Sequence, residues 1–377
     1  MSMESTYRGS ALELTIYGES HSPTIGVYIK GLPSGVMPDK EFTSRLMARR
    51  APGNNKWSTP RVEKDEVLFE DKDGALHGYI INSNTKPKDY ASIMNKPRPG
   101  HADYTGKIKY KEQAAQSGGG IFSGRMTAPL CIAGSIALNE LNKMGISIHA
   151  HLKECAGVKD DSYYDHAVND VAFKEALSKV CEKEFPAVSD EAGEKMKAKI
   201  EEARMDLDSV GAVAECVIYG LPEGLGGPLF DGLEGKIANL IYAIPAVKGV
   251  EFGDGFAMSD LRGSQTNDSF ALQDGKVITK TNHNGGINGG ISNGMPILFR
   301  CAVKPTPSIY KEQDTVDFIA NREKKISIKG RHDPAIVPRA GVVVDSVTAL
   351  VLCDLLAQRF GTDYLGERIE RKNEERE

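Results

Sequence analysis

Between residues 125 and 145 the chain carries Ala128, Leu130, Ile132, Ala133, Ile136, Ala137 and Leu141. Apolar positions this dense cover nearly the whole circumference of a helix, where a surface helix would show one stripe. Such a helix cannot lie on a surface; other elements must pack around it. The flanking sequence offers strands. Thr15, Ile16 and Tyr17 precede the glycine turn GESHS at 18–22, and Ile25, Val27 and Ile29 then alternate before GLPSG. Strand-like pieces follow near Val67–Phe69 and Tyr79–Asn82, and a second β-rich stretch, DSVGAVAECVIYGLP, starts at Asp208. Helices are expected at 38–50, opening near Pro38-Asp39, and at 233–243. Residues 87–110 read as a long polar loop, a length at which loops tend to carry function. Periodicity alone supports a mixed α and β chain and nothing finer.

No linker and no fixed-period repeat divides the 377 residues. A single domain over 1–377, with two similar β-containing halves, is expected. The acidic, Lys/Glu-rich stretch at about 160–205 reads as a helical surface insertion. The end from about 363, RIERKNEERE, reads as a charged, solvated tail. Hydrophobic residues at 40% and charged residues at 26% allow a sizeable core and a soluble surface. The net charge of -5 draws in neither nucleic acid nor an anionic membrane, so any anion site must be made locally. Cys131, Cys155, Cys181, Cys216, Cys301 and Cys353 form no C-x-x-C pair and read as buried reduced thiols. The N-terminus has no apolar signal region, and no uncharged apolar run reaches the roughly 18 residues that span a bilayer. A cytoplasmic protein that binds no membrane is expected.

Five irregular stretches concentrate glycine with ionisable residues: GESHS, RRAPGNNKWSTPR (49–61), RPGHAD (98–103), NHNGGINGGISNG (282–294) and KGRHDPAIVPRA (329–340). Arg49, Arg50, Lys56 and Arg61 lie within thirteen residues, Arg125 follows a triple glycine, and Arg331 and Arg339 flank an HDP. The guanidinium fork fits carboxylate and phosphate bidentately. Each charge-assisted bond contributes roughly 1.5–3 kcal/mol, so a few can hold a multiply anionic ligand. His21 and His101 each sit in a glycine turn beside an acid, Glu19 and Asp103, where an imidazole can move a proton near neutral pH. His77, His149, His151, His166 and His283 read as ordinary structural histidines. Lys304-Pro305-Thr306-Pro307-Ser308 offers a cation and two hydroxyls on a stiff loop suited to a cofactor phosphate. Walker A, G-x-G-x-x-G after a strand, H-E-x-x-H and G-x-S-x-G are all missing, and no metal site is expected.

Taken in order, the segments GESHS…GLPSG, RRAPG, RPGHADYTG, SGGG…SGR, DSVGA, GLPEGLGGPLFDGLEGKIA, IPAVKGVEFGDGF, GGINGGISNG, VKPTPSI and GRHDPAIVPRA resemble the chorismate synthase family. Ten collinear matches run from about residue 10 to 360. The resemblance implies an α+β fold, a layered β-α-β sandwich with helices packed between antiparallel sheets, assembled as a homotetramer. It implies 1,4-elimination of phosphate from 5-enolpyruvylshikimate 3-phosphate to give chorismate, with reduced FMN and no net redox change. It implies His21 beside the leaving phosphate, His101 beside the flavin, and Asp333 assisting the flavin as base. Substrate anions would be held by Arg50, Lys56, Arg61, Arg125 and Arg339. FMN would be held by Ser123, Gly124, Arg125, Pro245, Ala246, Gly289, Lys304 to Ser308 and Arg331. Nothing resembles an added reductase domain, so a separate flavin reductase or reductant is implied. The chain departs from the family's usual pattern at Ser22, Lys56, Thr85, Ile121, Phe122 and Met126. Rival readings are a nicotinamide-dependent oxidoreductase of an anionic small molecule and a non-catalytic anion-binding descendant.

Overall fold

A computed structural model describes residues 4–33, 36–52, 57, 65–82, 95–111, 119–328 and 333–361. The first sheet contains β1 (Glu4–Arg8), β2 (Glu13–Tyr17), β3 (Thr24–Lys30), β4 (Val67–Lys72) and β5 (Ala75–Ile81), in the order β1-β2-β3-β5-β4. The second contains β6 (Ser147–Cys155), β7 (Val158–Lys159), β8 (Ala212–Tyr219), β9 (Val247–Phe252) and β14 (Ile297–Val303), in the order β7-β6-β8-β14-β9. Three hairpins complete the strands among the described residues: β10 (Phe270–Gln273) with β11 (Lys276–Thr279), β12 (Ile287–Asn288) with β13 (Ile291–Ser292), and β15 (Gln313–Asp317) with β16 (Arg322–Ile326). Every pairing is antiparallel.

Between the two large sheets lie α1 (Lys40–Arg50), α3 (Thr127–Lys143), α6 (Leu233–Ile241) and α8 (Ala340–Phe360). The layered α+β sandwich is therefore as expected. α1 starts where the Asp39 carboxylate accepts from the Phe42 amide at 2.9 Å, an N-cap. α3 is buried on nearly every face, from Thr127 to Leu138, as its composition requires. α8 was not foreseen. By length and composition it could cross a membrane, yet it is buried inside the sandwich from Ala340 to Ala357. Its two carboxylates explain its register. Asp354 accepts from the amides of Ser10, Ala11 and Leu12 at 2.9, 2.7 and 2.9 Å, tying the helix to the first sheet. Asp345 accepts from the Ala150 amide of β6 at 2.8 Å and from Arg49 of α1 at 3.2 Å, tying it to the second.

The 87–110 stretch is not all loop, because α2 (Asp103–Tyr110) occupies its end. Its exposed Ile108 and lack of an apolar stripe hid it; its Gly106 instead lies so close to the Phe122 ring that a Cβ would come within 2.8 Å. Residues 160–205 hold α4 (Val171–Val180) and α5 (Asp190–Met205), and their Phe173, Leu177, Met196 and Ile200 are buried. Phe173 and Leu177 pack on Val217, Tyr219 and Leu298 of the second sheet. The short α7 (Gly263–Thr266) precedes the β10–β11 hairpin. Five cysteines are buried, but Cys181 is exposed at the end of α4, against expectation. The expected tail lies outside the described residues.

Candidate active site

A cavity of about 540 Å³ opens where the end of α1, the start of α3 and the start of α8 meet four loops. Six cationic side chains face it: Arg50, Arg98, Arg125, Lys248, Lys304 and Arg339. Among the described residues Asp333 is the acid in its lining. In a chain of net charge -5, this is a local anion trap.

Arg50 is the last residue of α1, and Arg125 stands in the tight turn before α3. Their fixed positions come from a shared partner. Asp65, 3% exposed, accepts from Arg50 at 2.8 Å and from Arg125 at 2.7 Å. One carboxylate thus holds two cations side by side at the cavity. Arg339, the residue before α8, ion-pairs with Asp333 and reaches the Arg50 carbonyl at 3.4 Å. Ser123 caps the turn by accepting from the Arg125 amide at 3.2 Å.

The RPGHAD loop forms the opposite wall. Arg98 is 5% exposed and clamps Asp103 with Nε and Nη2, both at 2.7 Å, and with its amide at 3.0 Å. His101 Nδ1 lies 2.7 Å from Asp103 Oδ1. Burial alone would raise the Asp103 carboxyl, but hydrogen bonds and charges from Arg98 and His101 outweigh it and hold it well below the usual carboxylate range. Arg98 also donates to Ser308 at 3.1 Å, which joins this wall to the 304–308 loop. That loop is further held by the Lys304 ammonium on the Gly100 carbonyl and by Ser209 donating to the Thr306 carbonyl at 2.7 Å. Burial, with Lys248 nearby, pushes the Lys304 ammonium down from its ordinary value. Ala246, at φ 74, turns the chain so that its carbonyl accepts from the Lys304 amide at 3.0 Å.

The structure thus brings Arg50, Arg125, Arg339, His101, Asp333, Ser123, Gly124, Pro245, Ala246, Lys304, Thr306, Pro307 and Ser308 to one cavity. His21 is beside it and does not line it: the Ser20 amide donates to Gly120 at 3.3 Å, in the turn that leads to Ile121 and Phe122 of the wall. Pro305 packs against Gly211. Gly289 lies in the exposed turn between β12 and β13, outside the lining. Lys56, Arg61 and Arg331 lie outside the described residues. Asp65, Arg98, Lys248 and Tyr242 were not singled out from sequence; Arg98 could have been, since RPGHAD sets a carboxylate five residues after it. Among the described residues no cluster of three His, Cys, Asp or Glu could hold a metal ion.

A family model described as chorismate synthase matches residues 12–357. The chain is 40% identical over 368 residues to the chorismate synthase of Lancefieldella parvula, covering 94% of this chain and 96% of that protein. It is 43% identical over 362 residues to that of Pyrococcus abyssi, covering 93% and 98%. A solved structure titled "Crystal Structure of Chorismate Synthase" superposes with a TM-score of 0.75 at 25% identity, covering 98% of each chain.

Proposed function

The chain belongs to the chorismate synthase family, and from that premise we propose how its cavity serves the reaction. The protein is a carbon–oxygen lyase that eliminates phosphate from 5-enolpyruvylshikimate 3-phosphate to give chorismate, a step of aromatic amino acid biosynthesis. Nothing in the fold favours a nicotinamide enzyme: the dinucleotide crevice needs parallel strands, and the pairings here are antiparallel.

The substrate carries a phosphate and two carboxylates. The observation that supports this assignment is the group of six cations around one cavity, four of them arginines. Arg50, Arg125 and Arg339 hold the substrate's anions, joined by Lys56 and Arg61. His21 gives a proton to the departing phosphate. His101 exchanges a proton at Nε2 with the bound cofactor. Asp333, oriented by Arg339, helps take up the hydrogen lost from C6.

The walls fit reduced FMN. Thr306 Oγ1 and Arg339 Nε are buried polar atoms with no hydrogen-bond partner among the described residues, and both belong to lining residues. Ile244, Pro245, Ala246 and Val247 supply an apolar surface for a ring system. Lys304, Thr306, Ser308, Ser123 and Gly124 would hold the cofactor, with Arg331; Gly289, in its exposed turn outside the lining, would not. When bound, reduced FMN supplies electron density that eases phosphate departure and a nitrogen that accepts the C6 hydrogen. The working assembly is a homotetramer, supplied with reduced flavin by a separate reductase.

Anaerobic assay of phosphate release and chorismate absorbance tests the reading. Turnover is expected with reduced FMN and absent with oxidised FMN. Folded, FMN-bound protein that releases no phosphate would make it an anion-binding descendant.

A further inference from the structure

The two oxygens of Asp103 face four donor contacts, and their arrangement decides which nitrogen of His101 carries the proton. Oδ2 accepts from Arg98 N and Nε, at 3.0 and 2.7 Å. Oδ1 lies 2.7 Å from both Arg98 Nη2 and His101 Nδ1. Arg98 Nη2 and His101 Nδ1 are themselves 3.1 Å apart. A guanidinium always donates, so Nδ1 could accept from it or donate to the carboxylate. The carboxylate contact is shorter and joins an N–H to a full negative charge, and Nη2 already has Oδ1 as its acceptor. The proton therefore belongs on Nδ1. The other ring nitrogen, Nε2, points toward Gly119, where an added Cβ would stand 3.4 Å from it. Gly119 has φ 110, which favours glycine, so the turn brings backbone rather than side chain to that nitrogen.

We propose that Asp103 is a positioning residue: it fixes the His101 proton on Nδ1 and presents Nε2 to the cavity as the atom that exchanges a proton with the bound ligand. Arg98 holds Asp103 in place and links it through Ser308 to the cofactor-side loop. This deepens the role given to His101 above and rests on it.

The test exploits an inversion. In Asp103→Asn the carboxamide oxygen is claimed by Arg98 N and Nε. The NH₂ then faces His101, forces Nδ1 to accept, and moves the proton to Nε2. Asp103→Ala leaves room for water, which can donate or accept, so both tautomers remain accessible. The asparagine variant should therefore lose more turnover than the alanine variant, at least about 10²-fold in kcat, with KM changed less than about threefold. Stability should rank the other way, since asparagine keeps the Arg98 N and Nε contacts that alanine loses: Tm of the flavin-free protein should stay nearer wild type in Asp103→Asn. FMN titration by flavin fluorescence should show binding retained in both. Adding His101→Ala to Asp103→Asn should cost little beyond His101→Ala alone. If kcat ranks with Tm, or the two losses multiply, Asp103 is structural only and the proposal falls. If His101→Ala keeps full turnover, the role assigned to His101 falls first and this proposal with it.

Discussion

Asp65 shows how the site holds its charge before any ligand arrives. Arg50 and Arg125 have side chains only 3% and 6% exposed, and both meet this one carboxylate. Removing one partner of a buried ion pair commonly costs about 3–5 kcal/mol. Asp65→Asn should lower the unfolding free energy of the ligand-free protein by ~3 kcal/mol in chemical denaturation. Millimolar inorganic phosphate should recover part of that loss, and should stabilise the variant more than wild type, because an anion then takes the carboxylate's place. Equal stabilisation of both by phosphate would refute the shared-charge account. Asp65 was illegible in sequence because it stands in the run Glu63-Lys64-Asp65-Glu66, which reads as solvated surface. Its burial depends on arginines 15 and 60 residues away. Arg50, Arg125, Arg339 and His101 were legible, since a cation or imidazole in a glycine-rich loop is informative by type alone.

Among elements, the pairing of α3 with α8 governs the middle layer. α3 could be read from its all-round apolar pattern. α8 could not, because AGVVVDSVTALVLCDLLAQRF has no polar face and its valines favour strands as much as helices. Only the carboxylates Asp345 and Asp354, placed to meet both sheets, give it a helical reason. The two helices touch at Gly134, where an added Cβ would lie 2.3 Å from Ser346 Cβ and 2.6 Å from its Cα. On helix propensity alone, Gly134→Ala should gain ~1 kcal/mol. Overpacking costs typically ~1–3 kcal/mol, occasionally more, and α8 is tied at two points and cannot slide away. The net effect should be a loss of roughly 1–2 kcal/mol in chemical denaturation, with little change in far-UV circular dichroism. A variant as stable as wild type would mean the helices are not in such close contact.

At the scale of the whole molecule, α4 and α5 pack against the second sheet, α4 on β6 and α5 on β7, and a buried charge cluster joins this region to the sheet. Their sequence revealed helices, but not what fastens them, since the partners His151, Glu215 and Asp160 lie on separate segments. His151, fully buried on β6, sits 3.1 Å from Glu215 of β8 and 3.9 Å from Asp160. Glu215 accepts from Ser162 Oγ at 2.7 Å and the Tyr163 amide at 2.8 Å, while Asp160 receives the amides of Val188 and Ser189 at 2.5 and 2.9 Å. Burial alone would lower the His151 imidazole, but its hydrogen bond to Glu215 and the negative charges of Glu215 and Asp160 win and push it up to about 9. The folded state therefore holds a proton that the unfolded chain, near pH 6.5, releases sooner. This contribution is fully present below about pH 6.5 and is lost as pH rises through about 9, an effect of roughly 3 kcal/mol at most. Below about pH 8 other buried groups add little: His149, pushed down to about 4 by burial, is already neutral in the fold, and thiols such as Cys131 and Cys155, pushed up to about 11 and about 12 by burial, lower stability only where unfolded thiols ionise, near pH 8.5 and above. Denaturation midpoints measured from about pH 6.5 to 8, below the range in which unfolded thiols ionise, should fall for wild type. His151→Gln should start lower and give a flatter profile over the same range, because the linked proton is gone. A wild-type profile as flat as the variant's would mean that the cluster binds no extra proton on folding, and that hydrogen bonds without a charged imidazole hold α4 and α5 to the sheet.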